Sequence, residues 1–90
     1  MTNQTNTPNR PVETLRDGNL KASIWANFGE NGTFYNAQIT RTYTDEAGKY
    51  HDSTSFSGSE LLRVSHLSGR VYDRINQLRA ADAEARAKTG

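Results

Sequence analysis

Two hydrophobic periods divide this chain into a strand-rich first part and a helical second part. Between residues 20 and 28 apolar and polar residues alternate one by one, which is the period of a strand with one buried face. Between residues 56 and 78 the apolar residues instead recur every three or four positions, as they do on one face of a helix. This change of period predicts a sheet that is covered on one side by a long C-terminal helix.

The start of the predicted helix carries a capping signal. Ser57 stands at the N-cap, and Glu60 follows three residues later, so each can accept from a free backbone N–H group of the other in a capping box. Phe56 and Leu61 are spaced for a hydrophobic staple around that cap. The face expected to cover the sheet comprises Leu61, Val64, Ser68, Val71, Ile75 and Leu78, widened by Leu62, Leu67 and Tyr72.

Turn residues separate four predicted strands, at residues 12–16, 20–28, 33–43 and 49–56. The turns are Asp17-Gly18, the segment 29–32 and the segment 44–48, where Gly48 is expected in the left-handed region. In the last hairpin we predict that Tyr43 pairs with Tyr50. That register places Arg41 opposite Asp52 and Thr42 opposite His51.

The predicted fold class is therefore α+β, a four-stranded antiparallel meander followed by one long C-terminal helix packed on one face (ββββα). Residues 1–11 are polar and without periodicity, and we interpret them as a disordered tail. The folded domain spans residues 12–80. The segment 81–90 has a helix-favouring composition without an apolar stripe beyond alanine, and we expect a helical tail that frays.

Composition narrows the class of protein. With 90 residues and 33% hydrophobic residues, the chain makes one small domain with a lean core, and we expect it to gain burial by forming a homodimer. The absence of cysteine excludes disulfides and thiolate metal sites. Since there is neither a long apolar run nor an apolar leader, the expected location is the cytoplasm. A net charge of +1 permits an anionic partner without requiring one.

The outer face of the predicted sheet is the most informative surface. It contains aromatics, amides, hydroxyls and lysines, while the acids are predicted in turns or, for Asp52, on the opposite face. Trp25 and Phe34 are suited to stack bases, and Lys21 and Lys49 to meet phosphates. Exposed aromatics more often mark a protein contact than a nucleic-acid surface. In that interpretation a partner protomer or the N-terminal segment covers them. The predicted outer residues are Lys21, Ser23, Trp25, Asn27, Phe34, Asn36, Gln38, Thr40, Thr42, Lys49, His51, Ser53 and Ser55.

The predicted helix carries a second stripe, with Arg63, His66, Arg70 and Arg74 at helical spacing. It would lie along a phosphate backbone or simply face solvent. The candidate nucleic-acid-binding residues are Lys21, Trp25, Phe34, Lys49, His51, Arg70 and Arg74. The candidate dimer contacts are Ser65, Ser68, Gly69 and Tyr72, since small residues allow the close approach of a second helix or of the sheet.

Catalysis and metal binding find no support in the motifs. No nucleophile elbow accompanies the serines, and the two histidines have no second ligand at metal-binding spacing. The GENG segment at 29–32 lies between two strands instead of opening a helix, so it indicates a hairpin turn and not a phosphate loop. We therefore expect a non-enzymatic protein without a cofactor or a metal.

A family resemblance covers residues 14–78. The charged turn at 45–48, the polar stretch Ser53-Thr54-Ser55-Phe56 and the entry Ser57-Gly58-Ser59-Glu60-Leu61 into a long helix resemble the PC4-like family of single-stranded DNA-binding transcription cofactors. The resemblance implies dimerisation through the helices and single-strand binding on the sheets. That family has more basic residues on its strands than this chain, which carries only Lys21 and Lys49 on the predicted outer face.

A second resemblance is to short uncharacterised proteins of bacterial genomes and mobile elements. It is carried by the segments 23–27, 32–35 and 41–43, and it implies a prokaryotic or phage setting without an activity. Two functions remain in view at this point. The first is a dimeric module that contacts single-stranded nucleic acid, as a transcription or replication accessory factor. The second is a phage or mobile-element accessory protein that binds and modulates a host protein.

Overall fold

The computed structural model describes residues 10–89, and the predicted N-terminal tail lies almost wholly outside them. Four antiparallel strands form one open sheet in the order β1-β2-β3-β4, and a single long helix follows. The predicted ββββα fold class is confirmed. The elements are β1 (Glu13–Asp17), β2 (Leu20–Gly29), β3 (Gly32–Thr44), β4 (Tyr50–Ser53) and α1 (Gly58–Thr89).

The alternation in β2 determines which face of the sheet the helix covers. Leu20, Ala22, Ile24 and Ala26 are buried, while the residues between them are only partly buried. The buried residues of β2 pack against Leu67 and Val71 of α1. The predicted parity of this strand is confirmed, and Trp25 lies on the face that α1 does not cover. Residues that are partly buried around this core are Leu15, Tyr35, Ile39, Phe56, Val64, Ile75 and Leu78.

The capping box at the start of α1 is also confirmed. The backbone N–H of Ser57 donates to Glu60 Oε1 at 2.8 Å, and the backbone N–H of Glu60 donates to Ser57 Oγ at 3.3 Å. The pKa of Glu60 lies below its ordinary value, chiefly because the Ser57 N–H group bonds to its carboxylate. Both bonds join residues three apart, which is why the local sequence was sufficient to predict them.

The predicted buried face of the helix was partly wrong. The helix is rotated so that Leu67 lies at the centre of the contact, and Leu61, Leu62 and Tyr72 are 54%, 80% and 68% exposed. Ser68 is exposed as well. The rotation is set by packing against the sheet. Leu67 packs on the buried residues of β2, and side chains on both flanks of the helix then contact the neighbouring strands β1 and β3.

The register of the last hairpin differs from the prediction by one residue. Tyr43 pairs with His51 and Thr42 with Asp52, whereas the sequence had suggested Tyr50 and His51 as their partners. The cause lies in the turn, where Asp45 Oδ1 accepts from the backbone N–H groups of Ala47 and Lys49, both at 2.9 Å. These bonds, with Gly48 in its predicted left-handed conformation at a φ of 83°, close a loop at residues 45–49.

The shift reverses the two faces of β4, because side chains alternate along a strand. Asp52 lies on the open face, and His51 and Ser53 lie on the helix side. The strand also ends at Ser53, earlier than predicted. Within residues 10–89 we find no helix with an apolar stretch long enough to cross a membrane.

Candidate nucleic-acid interface

The open face of the sheet carries three of the seven predicted nucleic-acid-binding residues, Lys21, Trp25 and Phe34. No described helix or strand covers it, since α1 packs against the opposite face. Strand pairing brings Arg16 beside Lys21, which the sequence analysis missed because β1 had not been assigned a face. Tyr50, paired with Thr44, was missed because of the register error. The residues on this face are Thr14, Arg16, Lys21, Ser23, Trp25, Asn27, Phe34, Asn36, Gln38, Thr40, Thr42, Thr44, Tyr50 and Asp52.

Four of these side chains form a compact group that we call the aromatic–amide cluster: Trp25, Asn27, Phe34 and Asn36. Trp25 pairs with Asn36, and Asn27 pairs with Phe34, on adjacent strands. Asn27 Nδ2 donates to Asn36 Oδ1 at 3.0 Å, so the two amides bond along one diagonal of the group. The two aromatic residues therefore occupy the other diagonal. Phe34 is 60% exposed and Trp25 is partly buried.

Charge on the open face is less positive than predicted, because Asp52 lies there. Its carboxylate accepts from Thr42 Oγ1 at 2.9 Å and lies 3.3 Å from the ammonium of Lys21. These contacts lower the pKa of Asp52, the Thr42 hydrogen bond most of all, with a smaller contribution from Arg16. A phosphate on this face would have to share Lys21 with Asp52.

Lys49 and His51 are not part of this cluster. Lys49 is exposed in the turn before β4. The prediction that His51 lies on the outer face was wrong, since it points to the helix side, where its Nε2 is 2.7 Å from Asp45 Oδ2 and its ring stacks on Tyr43 at 5.4 Å. The His51 hydrogen bond is the main reason why the pKa of Asp45 lies below its ordinary value.

The arginine stripe of the helix contacts β1. Arg63 Nη2 donates to the carbonyl oxygen of Asp17 at 2.6 Å, and Arg70 Nη1 to that of Arg16 at 3.1 Å. Arg74 Nε lies 2.7 Å from Glu13 Oε1. Arg70 and Arg74 thus attach the helix to the edge strand, on the opposite side of the sheet from the aromatic–amide cluster. His66 is exposed on the same helix.

The predicted dimer residues lie on the helix surface that points away from the sheet. Ser65, Ser68, Gly69 and Tyr72 are all exposed. A Cβ atom added at Gly69 would meet nothing within 4 Å, so the glycine does not serve a close approach to the sheet. Of the two contacts suggested for Gly69, only the contact with a second helix remains.

No group of three or more histidine, aspartate or glutamate side chains capable of holding a metal occurs in the described part of the chain. No family model matches the chain, and neither the curated proteins nor the solved structures contain a match to it. The resemblance to the PC4-like family remains a prediction, and function has to be argued from the geometry.

Proposed function

We propose that this protein is a non-enzymatic module that binds single-stranded nucleic acid on the open face of its sheet. The observation that carries the proposal is the aromatic–amide cluster, in which two aromatic residues flank a bonded pair of amides on a surface that no described helix or strand covers. Bases are flat and apolar on their faces but polar on their edges. A surface that presents rings beside amides can contact both parts of a base.

Each kind of side chain on this face has a separate role. Phe34 and Trp25 stack on bases, and each stacked base contributes about 1–3 kcal/mol. Asn36 and Gln38 offer donors and acceptors to base edges. Because the bases of a duplex are already stacked on one another, only an unpaired strand can place them against the two rings.

The basic residues contribute a small electrostatic part of the affinity. Arg16, Lys21 and Lys49 are the cations on or beside the open face. Lys21 is engaged by Asp52, so Arg16 and Lys49 neutralise two phosphates of a single strand, which gives a slope of about −1.4 in a plot of log affinity against log salt. We therefore expect modest binding that weakens with salt less steeply than in strongly basic nucleic-acid-binding domains.

Trp25 is the only tryptophan of the chain, so its fluorescence reports directly on the proposed surface. Titration with a mixed-sequence single-stranded oligonucleotide at low salt is expected to quench it. Phe34→Ala should weaken binding about fivefold or more, by losing one stacking contact. Phe28→Ala is the matched control, because Phe28 is 52% exposed but belongs to the helix-facing set of β2.

Two results would count against this function. One is an unchanged fluorescence at low salt, and the other is an equal loss of affinity in the two phenylalanine variants. If the protein instead captures a host protein from a lysate, and the complex persists after nuclease treatment, the alternative function of binding and modulating that host protein is favoured.

We further propose that the module is a homodimer in which a second copy of the helix covers Leu62, Ser65, Gly69 and Tyr72. Leu62 and Tyr72 are equally far from Leu67 in the sequence, and so are Ser65 and Gly69. Two helices can pack antiparallel through their surfaces away from the sheet, with the symmetry axis at the level of Leu67. Leu62 of one copy then meets Tyr72 of the other, and Ser65 meets Gly69. The stripe carries no charged residue between Gly58 and Asn76, which favours an apolar contact.

Sedimentation equilibrium tests the dimer. The wild-type protein is expected to associate at high concentration, and Ser65→Glu should make it monomeric by placing two carboxylates in the contact. Ala81→Glu is the control, as an exposed helix position outside the stripe. A wild-type monomer at high concentration would exclude the proposed contact.

A further inference from the structure

A second candidate site lies on the helix side of the sheet. It is lined by charged and small residues instead of the aromatics and amides of the aromatic–amide cluster. It is a cleft of about 270 Å³ between the β2–β3 turn and the last third of α1. The helix wall contributes two arginines and one aspartate, and the turn wall contributes a glycine and a threonine. The residues that line the cleft are Gly32, Thr33, Arg79, Asp82, Ala83 and Arg86.

The two arginines point to an anionic ligand. Arg79 and Arg86 are seven residues apart, which is about two helical turns and about 10 Å along the axis, so they lie on one side of α1. Within the described residues, Arg79 makes no hydrogen bond and no ion pair. Ala83 lies between them, and its small side chain leaves the space into which both guanidinium groups can reach.

The turn wall of the cleft depends on a glycine. Gly32 has a φ of 121°, in the region that favours glycine, and a Cβ atom there would lie 3.0 Å from Arg86 Nη1. A side chain at this position would enter the cleft and crowd the arginine. Thr33 beside it brings a hydroxyl that can donate to an oxyanion.

Asp82 narrows the choice of anion. The hydroxyl of Tyr35 donates to Asp82 Oδ2, which positions the carboxylate and leaves Oδ1 without a hydrogen bond from any described residue. A carboxylate only accepts hydrogen bonds, so a ligand beside Asp82 must carry a hydrogen as well as negative charge. Hydrogen phosphate meets both conditions, whereas sulfate has no hydrogen to donate at neutral pH.

We propose that this cleft binds a phosphate group that retains one hydroxyl hydrogen, as in inorganic phosphate or a singly protonated phosphate monoester. Arg79 and Arg86 hold the charged oxygens, and Asp82 accepts from the P–OH group. The cleft uses none of the residues assigned to strand binding, so the two proposals can fail separately.

Isothermal titration calorimetry with sodium phosphate, at constant ionic strength, tests the site in the full-length chain. Wild-type protein is expected to bind phosphate and to bind sulfate at least about tenfold more weakly. Arg79→Gln should weaken phosphate binding about tenfold or more, because one charge-assisted contact is lost. Arg10→Gln removes the same charge at an exposed position outside both proposed sites and is expected to leave phosphate binding unchanged.

Two further variants separate binding from folding. Ala83→Leu keeps a good helix former at an exposed position but fills the cleft, so phosphate binding should be lost while the helix content is retained. Asp82→Asn keeps an acceptor for Tyr35 and adds an N–H donor, so sulfate binding should rise towards that of phosphate. Absence of phosphate binding at low ionic strength, or equal affinities of the wild type for phosphate and sulfate, would overturn the proposal.

The source of the phosphate is decided by a pair of oligonucleotides that differ only in a 5′-phosphate. Tighter binding of the phosphorylated strand, abolished by Arg79→Gln, identifies a strand end as the ligand. Equal binding of both strands, together with Arg79-dependent binding of inorganic phosphate, identifies a free phosphate or a small phosphate monoester. Both results support the cleft as a phosphate site.

Discussion

Lys21 on β2 reaches over β3 to Asp52 on β4, with its ammonium nitrogen 3.3 Å from the carboxylate Oδ2. Since Lys21 pairs with Thr40, its aliphatic stem has to pass over β3 to make this contact. Thr40 is only 9% exposed, and its hydroxyl oxygen is buried without a hydrogen-bond partner among the described residues. The ion pair therefore connects β2 to β4 across β3 on the open face. It also engages a lysine that the proposed function would use to contact a phosphate.

Asp52→Asn is expected to strengthen single-strand binding, because Lys21 is then released to contact a phosphate. The slope of log affinity against log salt should become steeper by about 0.7, the value for one additional phosphate contact on a single strand. Glu46→Gln changes the net charge equally at an exposed position in the turn and serves as the control. Equal effects of the two variants would show that Lys21 takes no part in binding.

Arg74→Gln is expected to loosen β1 and to leave oligonucleotide binding nearly unchanged. The 2.7 Å contact between Arg74 Nε and Glu13 Oε1 attaches the edge strand to the helix, and its loss costs about 1 kcal/mol at most. Hydrogen exchange should become faster at the backbone amides of Glu13–Asp17. Arg79→Gln, which lies beyond the reach of β1, should not change that exchange. Unchanged exchange in Arg74→Gln would show that the contact does not hold the strand.

Val71→Ala is expected to lower the free energy of unfolding by about 2 kcal/mol, because two buried carbon groups are removed and a cavity remains. Val71 is 6% exposed in the contact between helix and sheet. Val12→Ala makes the same change at a position that is 48% exposed, and its effect should stay within about 0.5 kcal/mol. Urea unfolding measures both values. Similar losses in the two variants would contradict the assigned core.

Alkaline conditions are expected to weaken the fold through Tyr35. Burial, followed by the hydrogen bond to Asp82, raises the pKa of this tyrosine from 10.0 to about 12. Because the folded state favours the protonated hydroxyl, this contribution is complete below pH 10.0 and is lost as the pH rises to about 12. Tyr35→Phe lacks it at every pH, so the difference in urea midpoint between the two proteins should shrink over that interval. A difference that stays constant would exclude the linkage.

Local patterns were sufficient to predict the type and order of the elements and which residues of β2 and β3 lie on the open face. The alternation along β2 allows only one choice of buried side, since burying the other set would place Lys21 and Asn27 in the core. Phe34 follows from the same argument on β3, and the capping box joins residues three apart. In each case the decisive partner lies within a few positions or on the same strand.

Contacts between distant segments decided the rest, because no local pattern encodes them. The hydrophobic face of α1 was broad enough for several rotations, and only packing against β2 selected the one with Leu67 at its centre. The arginine stripe contacts β1 because that strand lies beside the rotated helix. The cleft proposed as a phosphate site joins Gly32 to Arg79 and Asp82, which meet only because the 32-residue helix extends across the sheet as far as the β2–β3 turn.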